Sequence, residues 1–272
     1  MTLLRRVARN VFNLPAAMVF YGALGFRALG PAQEDAGLAA VLGIKRAVSL
    51  RLALGAQQFE LTQCAPPGAT YPAAAKSDDA CFQHIAIVTR NIFAMQDIAL
   101  RAGATPISSN GPQHLPTGAG GVLAWKFRDP DRHPLEFLQM PDNFAPSGGA
   151  LTSGYDHSAI CVTNVARSVR FYQALGLSLR HTHLNHGAAQ ARLDGLETSI
   201  VEVVAMAPAR APPHVELLGY QPMAALHHAM QPHDIAADRL VFNKPGGGLA
   251  LRHDPDGHFI LLDGRDEGVT HI

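Results

Sequence analysis

The chain has 272 residues, 47% hydrophobic and 16% charged, enough apolar material for one sizeable core or two smaller ones. Its 22 Lys plus Arg balance 22 Asp plus Glu, so the formal net charge is zero. Such a chain carries no electrostatic footprint for nucleic acid or an acidic membrane surface, which points to a small-molecule site.

The N-terminus is basic at Arg5, Arg6 and Arg9 and then mildly apolar from Val11 to Leu24, a pattern that imitates a leader. Asn13 and Pro15 interrupt it, and the same pattern returns later, so it reads as part of a repeated unit. No stretch reaches the length of a membrane span. Three cysteines, Cys64, Cys81 and Cys161, are odd in number and share no C-x-x-C spacing. This argues against a disulfide framework or a structural zinc site and makes a reducing cytoplasm the expected compartment.

The first repeated feature runs from Val11 through Phe20-Tyr21 to Leu24-Gly25-Phe26, and again from Val162 through Phe171-Tyr172 to Leu175-Gly176-Leu177. Each copy reads as a short strand, a polar turn, a helix closing on Phe-Tyr, and a Gly break into another strand. The second feature is Asp129-Pro130-Asp131-Arg132-His133, paralleled by Asp254-Pro255-Asp256-Gly257-His258, turn chemistry followed by a returning apolar strand. Units are expected at about 1–66, 80–141, 154–222 and 235–264, with linkers at 65–68, 145–149 and 226–234. The fourth is short. Only Asn-Lys-Pro-Gly-Gly-Gly separates Phe242 from Leu249, so its helix and second strand are expected to be missing.

Strand, helix, Phe-Tyr, Leu-Gly-Phe, and then a hairpin on Asp-Pro-Asp-Gly-His together resemble the vicinal oxygen chelate superfamily of glyoxalases, bleomycin-resistance proteins and extradiol dioxygenases. The resemblance covers nearly the whole chain. It implies an α+β fold of four βαβββ-type modules, the last truncated, paired into two half-open β-barrel cups. It also implies metal ligands at one position on each module's first strand and one Glu on its last.

Carried over position by position, the resemblance puts His84 and Glu136 in unit two and His157 and Glu216 in unit three. Glu202 remains an alternative to Glu216; Glu216 is preferred because it leaves 189–193 or 199–205 for the middle strands. In unit one Arg6 and His157 both lie fourteen residues before the Phe of their Phe-Tyr pair, and Glu60 takes the Glu position. Unit four offers Arg239 and Leu261. Arginine has no lone pair for a metal. If units two and three share a cup, it collects His84, Glu136, His157 and Glu216, a set suited to one divalent ion such as Zn, Ni, Fe or Mn. The other cup would hold Arg6, Glu60, Arg239 and Leu261 without metal. Pairing in sequence order would leave each cup a partial set.

Three functions follow. One is a glyoxalase-like isomerase, lyase or epimerase in which the metal binds vicinal substrate oxygens and stabilises an enediolate, with Glu136 or Glu216 moving the proton. A second is an extradiol dioxygenase using His84, His157 and Glu216, although fused relatives carry their ligands in modules three and four. The third is a metal-free small-molecule-binding or resistance protein. The expected partner is a small-molecule substrate, with a monomer or homodimer as the assembly. The remaining polar candidates have plainer readings: Arg6–Glu60 an ion pair, His181, His183 and His186 a solvated strand edge, His227, His228 and His233 an exposed linker, His253 and His258 turn polarity. Phe20, Tyr21, Phe171 and Tyr172 are expected to pack helix on sheet.

Overall fold

A computed structural model describes residues 3–116, 121–141, 150–208, 213–222, 229–244 and 246–265. The elements in chain order are β1 (Leu3–Val11), α1 (Leu14–Ala23), β2 (Arg27–Ala28), β3 (Gln33–Glu34), α2 (Ala36–Leu42), β4 (Arg46–Leu54) and β5 (Gln57–Ala65). Next come β6 (Gln83–Thr89), α3 (Ile92–Arg101), β7 (Thr105–Pro106), β8 (Gln113–His114), β9 (Leu123–Arg128) and β10 (Pro134–Gln139). The third stretch holds β11 (Thr152–Cys161), α4 (Val165–Ala174), β12 (Ser178–His186), α5 (Ala188–Asp194), β13 (Ile200–Ala207) and β14 (His214–Tyr220). The chain closes with β15 (Arg239–Asn243), β16 (Leu249–His253) and β17 (Phe259–Asp263).

The helix starts and stops share one local chemistry. Asn13, Asn91 and Asn164 cap α1, α3 and α4, each side chain accepting from the N–H three residues on. Each helix then breaks at a glycine with φ near +100°, namely Gly25, Gly103 and Gly176, where a Cβ would be strained.

Two mixed sheets result, and no barrel closes. The eight-stranded outer sheet runs β16-β17-β15-β1-β5-β4-β2, with β3 beside β4. The nine-stranded inner sheet runs β12-β13-β14-β11-β6-β10-β9-β7, with β8 beside β9. Strands from 83–139 and 152–220 therefore share one sheet, and those from 3–65 and 239–263 share the other. At the centre of the inner sheet β6 and β11 run antiparallel, each flanked by a parallel partner, β10 or β14. The outer sheet repeats this with β1 and β15 flanked by β5 and β17.

One face of each sheet, with α1, α3 and α4, contributes to a common apolar core that includes Phe59, Trp125, Phe137, Leu217 and Phe242. The opposite faces form the cups. Between the sheets, the Asp-Pro-Asp turns receive the helix tyrosines: Tyr21 Oη donates to Asp129 Oδ2 at 2.8 Å and Tyr172 Oη to Asp254 Oδ2 at 3.1 Å. The second Asp of each turn accepts a backbone N–H at 3.0 Å, Phe12 to Asp131 and Thr163 to Asp256.

Several expectations need correction. Residues 188–194 form α5, so they supply no middle strand; the middle strands of that stretch are β12 and β13. His258 is buried, and its Nε2 lies 2.8 Å from the Cys161 carbonyl, so turn polarity does not explain it. His133 is likewise buried, with Nε2 2.9 Å from the Ile235 carbonyl. Tyr21 and Tyr172 do more than pack, as their hydroxyls show. In the last stretch three strands follow one another with no helix among the described residues. The linker expected at 145–149, together with His227 and His228, lies outside the described residues. Cys64, Cys81 and Cys161 are buried and unpaired. Among the described residues no helix is long and apolar enough to cross a membrane.

Candidate metal centre

Strand register positions the four side chains. His157 on β11 stands opposite Ala86 on β6, which stands opposite Glu136 on β10. In the next row Glu216 on β14 stands opposite Ala159, which stands opposite His84. Strands lie about 4.8 Å apart, so each His and Glu in a row is separated by roughly 10 Å of backbone. The alanine between them leaves a floor low enough for the longer side chains to lean over it and meet.

They do meet. His84 Nε2 is 3.0 Å from Glu136 Oε2, and His157 Nε2 is 3.8 Å from the same oxygen and 3.5 Å from Glu216 Oε2. Ligand atoms of His84, Glu136 and His157 all lie within 4.8 Å of one another. Glu216 reaches His157 without completing a four-atom set at that distance. Glu202 sits on β13 between Val201 and Val203, which line the cup, so strand alternation turns it to the other face. Glu216 is thus the carboxylate beside His157.

Electrostatics bind the group together. Burial would raise the Glu136 carboxyl, but Lys126 and the two imidazoles outweigh it and hold the group below its ordinary value. Burial also opposes ionisation of Glu216, yet His157 and the His214 hydrogen bond bring it down to about 2. For His157 burial works against the charged form, while Glu216 and Asp156 carry it up to about 9. Burial depresses His84 despite Glu136.

The set fits a divalent ion on its own chemistry. His157 is 4% exposed, and its Nε2 has no hydrogen-bond partner among the described residues. Two carboxylate oxygens face that nitrogen from beyond hydrogen-bond range. Ligands about 2.1 Å from a shared ion stand roughly 3.0–3.5 Å from one another, close to the spacings here. The opposite ring nitrogen, Nδ1, lies 3.1 Å from Asp156 Oδ2, an arrangement that fixes a ligating imidazole's tautomer and aim.

Sequence reasoning missed several neighbours. Asp156 directly precedes His157 and would face away in a regular strand. A register shift between Tyr155 and His157 marks a bulge at this point, and Asp156 lines the cup. His214 follows from alternation, two residues from Glu216 on one face, with Nε2 3.3 Å from Glu216 Oε1. His181 and His183 do lie on edge strand β12, as expected, but they also line the cup mouth. Lys126, Gln190, Asp194 and Tyr220 had no sequence signal. The cup encloses a cavity of about 170 Å³.

The outer cup differs. Arg6 Nε donates to Glu60 Oε2 at 2.9 Å, and Arg51 Nε reaches the same oxygen at 2.7 Å. Arg239 donates to Asn10 Oδ1 at 2.7 Å and to Thr62 Oγ1 at 3.1 Å. Asp263, two residues beyond Leu261, adds a carboxylate 3.3 Å from Arg6. Helix α2 covers this face, with Leu38 and Leu42 packed on Ala8, Val241 and Leu261.

No protein-family profile matches the sequence, and no curated protein does either. Solved structures do match in fold. Glyoxalase I from Zea mays superposes with a TM-score of 0.62 at 15% identity, over 97% of this chain and 93% of that one. A protein described as a putative dioxygenase from Bacillus subtilis subsp. subtilis gives 0.61 at 9% identity, over 99% and 87%. The fold of both structures therefore extends over nearly the whole of this chain, at low sequence identity to either.

Proposed function

We propose that the inner cup is the active site of a metal-dependent, glyoxalase-like enzyme, an isomerase, lyase or epimerase acting on a small molecule with two adjacent oxygens. The observation that carries this reading is the convergence of the His84 imidazole and the carboxylates of Glu136 and Glu216 around the unpartnered Nε2 of His157. His84, Glu136 and His157 would hold the ion, with Glu216 as a fourth ligand or as the nearest free base. A divalent ion there supplies Lewis acidity toward two vicinal oxygens of the substrate.

The chain's own groups divide the remaining work. Asp156 holds the His157 ring by Nδ1. His84 steadies Glu136, and His214 steadies Glu216. Either carboxylate would take a proton from the substrate carbon and return it one atom away. Apolar walls at Leu138, Val201 and Leu218 keep the reacting carbons out of bulk water.

A second reading, an extradiol dioxygenase, draws on one specific observation: the mutually close set, His84, Glu136 and His157, is two imidazoles and one carboxylate, the pattern of ferrous oxygenases. The deciding experiment is metal analysis of protein purified without chelator, followed by two assays on the loaded enzyme. Stoichiometric metal with solvent-proton exchange into α-hydroxycarbonyl substrates supports the first reading; oxygen uptake with catechols supports the second. Absence of metal at every divalent ion tried would leave a metal-free binding protein.

A further inference from the structure

Helices α2 and α5 are counterparts. Each has seven residues and ends on a glycine in the left-handed region, Gly43 at φ +71° and Gly195 at φ +65°. Aligned on those glycines, Leu38 corresponds to Gln190 and Leu42 to Asp194. The outer helix plugs its cup with leucine, while the inner one presents an amide and a carboxylate at the same two positions.

Asp194 organises what surrounds it. Its carboxylate accepts from Lys126 Nζ at 2.6 Å, Gln190 Nε2 at 2.9 Å and Ser199 Oγ at 2.7 Å. A carboxylate only accepts, so the Gln190 amide cannot flip, and Oε1 must point away from Asp194. That oxygen is buried without a partner among the described residues, as is Tyr220 Oη. Gln190 is 4% exposed and Tyr220 6%, and both line the cavity with Lys126 and the metal-site candidates. Unsatisfied buried polar atoms cost stability, so these two facing one cavity call for a ligand, with the Lys126 ammonium, already bound to Asp194, beside them.

We infer that Gln190, Tyr220 and Lys126 form a subsite for a hydroxyl group, so the substrate carries a third oxygen beyond its vicinal pair. A hydroxyl donates to Gln190 Oε1 while accepting from Tyr220 or Lys126. A carboxylate satisfies the donors but meets the fixed amide oxygen with a second acceptor, and an apolar group satisfies neither. At about 170 Å³, the cavity is smaller than the roughly 300–1,000 Å³ of sites for larger ligands. The buried part of the substrate is therefore a short hydroxylated chain or a single hydroxylated ring. The placement of the vicinal pair rests on the function proposed above; the hydroxyl subsite rests on Gln190 of α5, Tyr220 of β14 and Lys126 of β9.

The test is calorimetric binding of matched probes that share vicinal oxygens and differ by one hydroxyl: glycerate against lactate, and pyrogallol against catechol. Each is measured with Zn²⁺ and with chelator. The wild-type protein should prefer the hydroxylated member of at least one pair by about tenfold or more. Gln190→Met should reduce that preference to threefold or less while leaving the deoxy partner unchanged. Tyr220→Phe, which keeps the ring and the fold, should weaken it as well. No saturable binding of either hydroxylated probe, no preference in the wild type, or a preference surviving both variants would overturn the subsite. Zn²⁺ binding without hydroxyl preference fails the subsite and leaves the metal reading standing; preference without Zn²⁺ binding does the reverse.

Discussion

The inner and outer cups share one strand geometry and opposite chemistries. In the outer sheet Glu60 stands opposite Ala8, which stands opposite Arg239, and Arg6 stands opposite Val241, which stands opposite Leu261. These are the register positions of Glu216, Ala159 and His84, and of His157, Ala86 and Glu136. Even the bulge recurs, with a register shift between Leu4 and Arg6. Where the inner cup converges lone pairs on a common point, the outer one fills that point with guanidinium. An arginine carries its own cation into the cup, so Glu60 is satisfied without a metal. The same backbone can thus serve as a site or as a sealed wall, and two or three side chains decide which.

The largest way to break the contrast is to remove the outer cup's anion. Glu60→Ala takes away the carboxylate shared by Arg6 and Arg51. It should cost about 3 kcal/mol in chemical denaturation, because buried Arg6 loses its shorter carboxylate contact and keeps the longer one to Asp263. Metal content should not change. Conversely, Glu136→Leu copies the outer residue Leu261 into the inner cup. Metal affinity should fall by more than the roughly 100-fold that losing an outer partner of a ligand costs, and stability should fall too, because His84 and Lys126 lose the buried carboxylate they face. Titration against a competing chelator measures the first effect and a thermal melt the second.

A pH scan sharpens the comparison further. In metal-free protein the His157 pKa stands at about 9, above the ordinary value of about 6.5. The raised value means the bound proton stabilises the fold below pH ~6.5, and that contribution disappears as pH rises through 9. Melting temperature in chelator should therefore drop between pH 7 and 9.5, and His157→Gln should not show the drop. Metal-loaded protein should resist it, because the ion needs the neutral imidazole. The smallest effects belong to the turn locks. Tyr21→Phe and Tyr172→Phe each remove one bond to an Asp-Pro-Asp turn and should cost on the order of 1 kcal/mol. Tyr21→Phe should cost more, since Arg9 Nη1 also donates to that hydroxyl at 2.8 Å.

Much of this was legible in the sequence, because it resides in repeated local chemistry. The Phe-Tyr helices, the Leu-Gly breaks and the Asp-Pro-Asp turns announce themselves by spacing. The residues His84, Glu136, His157 and Glu216 sit on strands whose register follows from those repeats. What was not legible depends on contacts between distant segments. Lys126 meets Asp194 across 68 residues, and His258 meets the Cys161 carbonyl across 97. Of the two stretches the sequence offers as middle strands, 189–193 is helix α5 and 199–205 falls largely on β13; seven residues apolar on one side only are too few for periodicity to separate helix from strand. Asp156 reaches the cup through a bulge that no composition rule announces.

The central claim is that the inner cup holds a single ion and the outer cup none. Crystals grown with Zn²⁺ or Ni²⁺ and measured at the metal's absorption edge test it directly. The account predicts one anomalous peak per chain, bounded by His84, Glu136 and His157. A peak between Arg6 and Glu60, or no peak in the inner cup at saturating metal, would contradict it.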